Sequence, residues 1–272
     1  MMKTAIVMGA SRGIGRSIAK RLAEDGYAVV VNFATHAHEA KETAAEIAES
    51  GGRAVAIHAD ITREDEIKQL FEHSLKEFGR IDIVVSNVGV MALSPIARGD
   101  METFDEMIRT NLRGAFLVLA QAASHVADGG RIIAFSNHVV GTFPPSYGAY
   151  VASKAGVEGL VRVLAHELRR RQVTVNAVSL GPDAAEHFLL GTSGMPIAQT
   201  GDRAPSDAVG STKDILHVIS FLAGSEGGWV SGQVIPVTEG LLERADFIHS
   251  NVGSVTSLGN VPAESATPAH TH

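Results

Sequence analysis

The chain has no cysteine among its 272 residues, which excludes disulfides, thiolate metal sites and cysteine nucleophiles together. It has nothing approaching the roughly 18 consecutive apolar residues of a membrane span. No lysine- or arginine-rich run offers a surface to nucleic acid or to an acidic membrane, so phosphate binding must be local, and the formal net charge of −7 suits solubility. The opening Met1-Met2-Lys3-Thr4-Ala5-Ile6-Val7 runs straight into a glycine turn and leaves no room for a secretory apolar core with its cleavage site. The expected place of work is the cytoplasm.

What is present is a regular alternation. Short β-branched runs, expected as strands at 5–8, 28–33, 54–58, 81–86, 131–136, 173–180 and 234–237, are separated by amphipathic stretches of helix length. Connectors that long permit right-handed crossovers, so the expected fold is α/β, a Rossmann-type doubly wound and mostly parallel seven-stranded sheet with helices on both faces. Ligands should gather at the carboxyl ends of the strands. One catalytic domain is expected over 1–242. Within it, 181–210 mixes Gly, Pro, Ser, Asp and Thr around Phe188-Leu189-Leu190, as a lid over a site or a surface excursion would. The tail 243–272 turns polar and reads as partly disordered, and its His249, His270 and His272 have no metal-site spacing, so no metal is expected.

Gly9-Ala10-Ser11-Arg12-Gly13-Ile14-Gly15 follows the first strand and opens a helix with apolar positions at Ile18, Ala19 and Leu22. Glycines there let the backbone approach a pyrophosphate, and a helix N-terminus offers it free N–H groups and a positive dipole end. A tight turn with no ligand is the plainer alternative. Enzymes that select NAD carry an acidic residue at the end of the second strand; here the sequence is Asn32-Phe33-Ala34-Thr35. A 2′-phosphate can sit there, paired with Arg12 and the hydroxyl of Thr35 or Ser11, so NADP(H) is favoured over NAD(H). Asp60 and Ile61 follow the third strand, where Asp60 can accept from an adenine amino group or cap the next helix. Asn87, Val88 and Gly89 bring small and polar groups to the edge after the fourth strand, and Gly181 does so after the sixth.

Tyr150 and Lys154 stand four apart in Tyr-Val-Ala-Ser-Lys, on one face of a helix that continues through Val157, Leu160, Val161 and Leu164. An ammonium beside a phenol is expected to lower its pKa from about 10 toward the range useful for proton transfer. Gly9-x-x-x-Gly13-x-Gly15, Asn87-x-Gly89, Thr110-Asn111-Leu112, Tyr150-x-x-x-Lys154 and Val175-Asn176-Ala177-Val178 together resemble, in order and spacing, the short-chain dehydrogenase/reductase family over residues 3 to 242. The resemblance leans toward its acyl-carrier-protein reductase-like and small-ketone reductase members. It implies that Tyr150 donates a proton to a carbonyl, that Lys154 binds the nicotinamide ribose and tunes Tyr150, and that Asn111 anchors a relay water. It further implies hydride transfer from a nicotinamide cofactor, a small carbonyl or alcohol substrate, and a homotetramer or homodimer. Burial against another subunit suits the small and apolar residues Ala155, Gly156, Val157, Gly159, Leu160 and Val163.

The family places a serine thirteen residues before the tyrosine; position 137 is asparagine. Asn137 can donate an N–H to a carbonyl oxygen, or a one-residue bulge can bring Ser136 inward. Met8, Val88, Leu180 and Ala185 also depart from the expected threonine, alanine, proline and threonine. These changes suit an unusual substrate, a non-redox reaction such as dehydration, epimerisation or cyclisation, or neutral drift. A cofactor-binding protein without turnover is a third reading. His138, Val139, Pro144, Phe188 and Leu189 are expected to flank a partly apolar substrate.

Overall fold

Runs of valine, isoleucine and alanine bury on both faces only in the interior of a covered parallel sheet. In a computed structural model that describes residues 2–181 and 212–238, they do so. The strands are β1 (Thr4–Val7), β2 (Ala28–Phe33), β3 (Arg53–His58), β4 (Ile83–Ser86), β5 (Arg131–Asn137), β6 (Thr174–Leu180) and β7 (Val234–Val237). They form one sheet in the order β3-β2-β1-β4-β5-β6-β7, and every pairing is parallel.

Successive residues of each strand feed two different cores. Ile6, Val84, Ile132 and Ala134 pack with α3 (Glu64–Phe78), α5 (Gly114–His125) and α7 (Gly148–Leu168). Ala5, Val7, Val85 and Ile133 pack on the other face with α1 (Gly13–Glu24), α2 (Ala37–Glu49) and α8 (Thr212–Ala223). Two smaller helices, α4 (Met101–Met107) and α6 (Val139–Thr142), lie near the carboxyl ends of β4 and β5. Between α4 and α5 the helix widens into a π-helical stretch, Ile108–Arg113, that contains Asn111.

The fourth strand begins at Ile83 rather than at 81, and Asp82 just before it acts as a staple. Its carboxylate accepts from the Thr4 main-chain N–H at 2.9 Å and from Arg80 Nε at 2.8 Å. Chain order reverses between β1 and β4, which opens the crevice where a doubly wound sheet receives ligands. Among the described residues no helix is long and apolar enough to cross a membrane. The expected loop beyond Gly181, with Ala185, Phe188 and Leu189, and the tail 243–272 lie outside the described residues.

Candidate active site

The glycine turn lies across that crevice. Gly9 adopts a φ of +64°, which L side chains rarely take, and its N–H reaches Asn32 Oδ1 at 3.3 Å. A Cβ on Gly15 would lie 2.2 Å from the Gly9 carbonyl oxygen and 2.7 Å from Asn87 Nδ2, so only glycine fits. At Gly13 a Cβ would meet nothing within 4 Å, and this side of the turn is open. Arg12 stands exposed at the N-cap of α1, and its side chain caps none of the first-turn N–H groups. Asn87 is buried with its Oδ1 unpartnered. An open cradle, the first-turn amides of α1 and an orphaned buried acceptor fit a dinucleotide lying over the turn.

Several expected cofactor contacts are placed otherwise. Asn32 is a brace: its amide donates to the Ile57 and Ala59 carbonyls at 3.3 and 3.1 Å while its Oδ1 holds Gly9. That side chain is spent on the protein because it is 1% exposed beneath the turn and joins β2, β3 and the glycine loop. Ile14 belongs to the second core, and Ile61 packs under Gly114, so neither side chain faces the crevice. Asp60 does not cap α3, whose N-cap is Arg63; its Oδ1 accepts from the Thr62 N–H at 2.8 Å, and its own N–H donates to Glu66 at 2.9 Å. Ser11 is buried, while Ala34 and Thr35 are exposed just after β2, with Thr35 Oγ1 2.7 Å from His36 Nδ1. Val88 touches the Gly9 position, Gly89 is half-buried, and Gly181 is buried at the end of β6 against Thr238.

The catalytic candidates converge where α7 crosses the end of β5. Tyr150 and Lys154 are each 3% exposed, and the Lys154 ammonium sits 5.9 Å from the centre of the Tyr150 ring while donating to the Phe135 carbonyl at 3.1 Å. The side chain of Asn137 lies beside the Tyr150 phenol and acts to lower its pKa. Its Oδ1 accepts from the Val139 N–H at 3.1 Å, which leaves the amide NH2 as its available donor. Asn111 clamps the loop after β4, accepting from the Val90 N–H and donating to the Val90 carbonyl, both at 2.8 Å. It also donates to Ser153 Oγ at 3.1 Å, and Ser153 donates to the Tyr150 carbonyl at 2.7 Å. The Asn111 amide hydrogens are thus committed to protein partners, so its side chain does not donate to a relay water.

The alternative of a bulged Ser136 is corrected by the register. β5 pairs with β6 without interruption from Arg131 to Asn137, and Ser136 donates instead to the buried Glu158 Oε1 at 2.6 Å.

Burial decides the electrostatics. It pushes the Tyr150 phenol well above the ordinary tyrosine range; the Asn137 side chain pulls the other way and Tyr147 adds to the rise. This reverses the expectation of a lowered value, because desolvation by burial is the largest effect on the phenol. Burial also brings the Lys154 ammonium down to about 8. The phenol is protonated at neutral pH, as a proton donor must be, and burial makes it a weaker acid than a free tyrosine.

Val139 packs on Tyr150 together with the half-buried Val90, Met91 and Tyr147, giving the space an apolar wall. His138 is tied to the Leu180 carbonyl through Nδ1 at 3.1 Å, and Pro144 is half-buried in the turn before α7. Val90, Ser153 and Glu158 were not marked by the sequence, although Ser153 and Glu158 share the Tyr150 helix. Among the described residues no group of three or more His, Cys, Asp or Glu side chains could hold a metal ion.

Residues 9–242 match the family described as Enoyl-(Acyl carrier protein) reductase. A Picea abies protein, "Short-chain type dehydrogenase/reductase", is 40% identical over 248 residues, covering 88% of this chain and 92% of its own. "NADPH-dependent aldehyde reductase 2, chloroplastic" of Arabidopsis thaliana is 39% identical, with 88% and 94% covered. The solved structure of landomycin C-6 ketoreductase LanV with bound NADP and rabelomycin aligns with a TM-score of 0.76 at 33% identity, covering 88% of this chain and 96% of that one. The chain belongs to the short-chain dehydrogenase/reductase family.

Proposed function

We propose that the chain is an NADP(H)-dependent carbonyl reductase that converts a ketone or aldehyde to its alcohol, reversibly. The observation that carries this reading is the buried Tyr150 phenol with the buried Lys154 ammonium 5.9 Å from its ring, on one helix and beside Asn137. The NADPH dependence in the name of the Arabidopsis relative and the NADP held by the ketoreductase support the cofactor. So does the absence of a carboxylate in Asn32-Phe33-Ala34-Thr35, beside the exposed guanidinium of Arg12.

The nicotinamide supplies the hydride when the cofactor is bound. The glycine turn and the α1 amides would hold its phosphates and Lys154 its ribose, while Asn87 Oδ1, an acceptor, would take a hydroxyl donor of the cofactor. Tyr150 gives its O–H proton to the carbonyl oxygen as that oxygen gains charge. Asn137 donates to the phenol oxygen and stabilises the phenolate left behind, while the Lys154 ammonium faces the same charge. Asn111 and Ser153 act on this chemistry by positioning the first turn of α7.

Purified protein should oxidise NADPH with a ketone, aldehyde or quinone, and Tyr150→Phe should remove nearly all turnover. Full activity in that variant would overturn the reading.

The catalytic body is assigned to 1–242, supported by the family match ending at 242. A cytoplasmic location is part of the proposal, supported by the acidic net charge of −7 and tested by fractionation. So is a homotetramer or homodimer. Val157 is core, but Ala155, Gly159 and Val163 face outward on α7, and Phe116 on α5 is 54% exposed. Light scattering showing a monomer at micromolar concentration would refute association.

A further inference from the structure

The last three residues of β5 lie along α7, at positions one turn apart on that helix. The Phe135 carbonyl accepts from Lys154, Asn137 lies beside Tyr150, and Ser136 donates to Glu158. The first two contacts involve residues already assigned to the chemistry. The third, between Ser136 and Glu158, is a buried polar contact with no role yet assigned. Ser136 is 2% exposed and Glu158 9%, and the hydroxyl donates at 2.6 Å, a length typical of a bond to a carboxylate. Arg162, one turn further along, is 3.9 Å from the other carboxylate oxygen and is largely exposed.

Burying a carboxylate is costly unless its oxygens are met. A tolerated glutamate in this place, under a strand that aliphatic side chains otherwise cover, calls for a return in geometry. The contact has one. Ser136 immediately precedes Asn137, so its side chain sets how far the end of β5 stands over α7. That height sets where the Asn137 amide lies beside Tyr150.

We propose that Glu158 is a positioning residue which, through Ser136, pins the carboxyl end of β5 to α7 at the height where Asn137 lies beside the Tyr150 phenol. The inference rests on the carbonyl-reductase reading for its kinetic consequence and on geometry alone for its structural one. Glu158→Gln keeps the acceptor for Ser136 and preserves the pin. Glu158→Ala and Ser136→Ala each remove it.

The test compares Glu158→Gln, Glu158→Ala, Ser136→Ala and the double alanine variant. Displacing a catalytic group by a fraction of an ångström to an ångström costs on the order of 10- to 100-fold in rate. The alanine variants should therefore lose about that in kcat, with the NADPH Kd and the carbonyl KM changed by less than about 3-fold. The double variant should lose no more than the worse single one, because both act through one bond. Glu158→Gln should keep kcat within about 3-fold.

The second readout does not depend on turnover. The chain has only three tyrosines, so 13Cζ-tyrosine NMR gives three signals, and Tyr150→Phe assigns one of them. That signal should move in both alanine variants and stay in Glu158→Gln. If Glu158→Ala fails to fold, Ser136→Ala against Glu158→Gln decides. Lowered melting temperatures with kcat and the Tyr150 signal unchanged would reduce the contact to packing and overturn the proposal, as would additive losses in the double variant. A wild-type protein that reduces no carbonyl overturns the functional reading alone, since the Tyr150 signal still reports on the pin.

Discussion

Asn137 accepts the main-chain N–H of Val139 with its Oδ1, and this one bond leaves its amide NH2 as the group it can offer to the neighbouring Tyr150. That group is a donor. A donor stabilises the oxygen after it has lost its proton and has no lone pair with which to hold the proton back.

Replacing that donor by an acceptor is therefore the sharpest test of the residue. In Asn137→Asp a carboxylate oxygen faces the phenol, accepts its proton in a hydrogen bond and raises its pKa further. We expect kcat for carbonyl reduction to fall on the order of 100-fold, with the NADPH Kd little changed. Asn137→Ser, which restores a hydroxyl, should lose less. Steady-state kinetics on both variants gives the comparison, and equal losses would show that the donor character is irrelevant.

The pH dependence should belong to Lys154, because Tyr150 is pushed above its ordinary range while burial brings Lys154 from 10.5 to about 8. Reduction should be level below about pH 8 and decline above it as the ammonium is lost. Lys154→Arg, which stays charged, should lack that decline even if its plateau is lower. A decline at the same pH in the arginine variant would assign it to another group.

The same shift has a stability consequence of opposite sign. Between about 8 and 10.5 the unfolded chain holds the Lys154 proton and the folded one does not, so this group's contribution to stability rises with pH through that window. Below it the buried ammonium is a burden on the order of 3 kcal/mol. Urea denaturation of wild type and Lys154→Met at several pH values should show the wild type gaining on the variant from pH 8 upward. A difference independent of pH would contradict the shift.

The two helix glycines should fail in different ways. Gly15→Ala puts a methyl 2.2 Å from the Gly9 carbonyl oxygen and should unfold the turn, lowering the melting temperature and abolishing NADPH binding together. At Gly13 there is room, and the φ of +57° sets a cost of about 1–2 kcal/mol. Gly13→Ala should therefore fold, yet bind NADPH poorly because its methyl stands on the open side of the cradle. Calorimetry and a fluorescence titration separate the two outcomes.

Local patterns made much of this legible. Tyr150 and Lys154 announce themselves because a helix brings residues four apart onto one face, and the strands do so because runs buried on both sides must be β-branched and apolar throughout. What escaped depends on partners distant in sequence. Asn32 looks like a cofactor contact until β3 and the glycine loop are seen to consume its amide. Glu158 looks like any helical glutamate until β5 covers it. The rise of the Tyr150 pKa was missed because the sequence shows the neighbouring ammonium but not the depth of burial, and burial dominates.

The crevice between β1 and β4 has a consequence for how the chain is assembled. Gly9 and Asn32 come from the first three strands, whereas Asn87, which completes the floor of the cradle, comes after β4. A fragment ending before β4 would contain the whole glycine motif and still lack a dinucleotide site. Nucleotide held by both Gly9 and Asn87 would favour the chain in which the two halves have docked, by an amount that grows with the logarithm of its concentration over Kd.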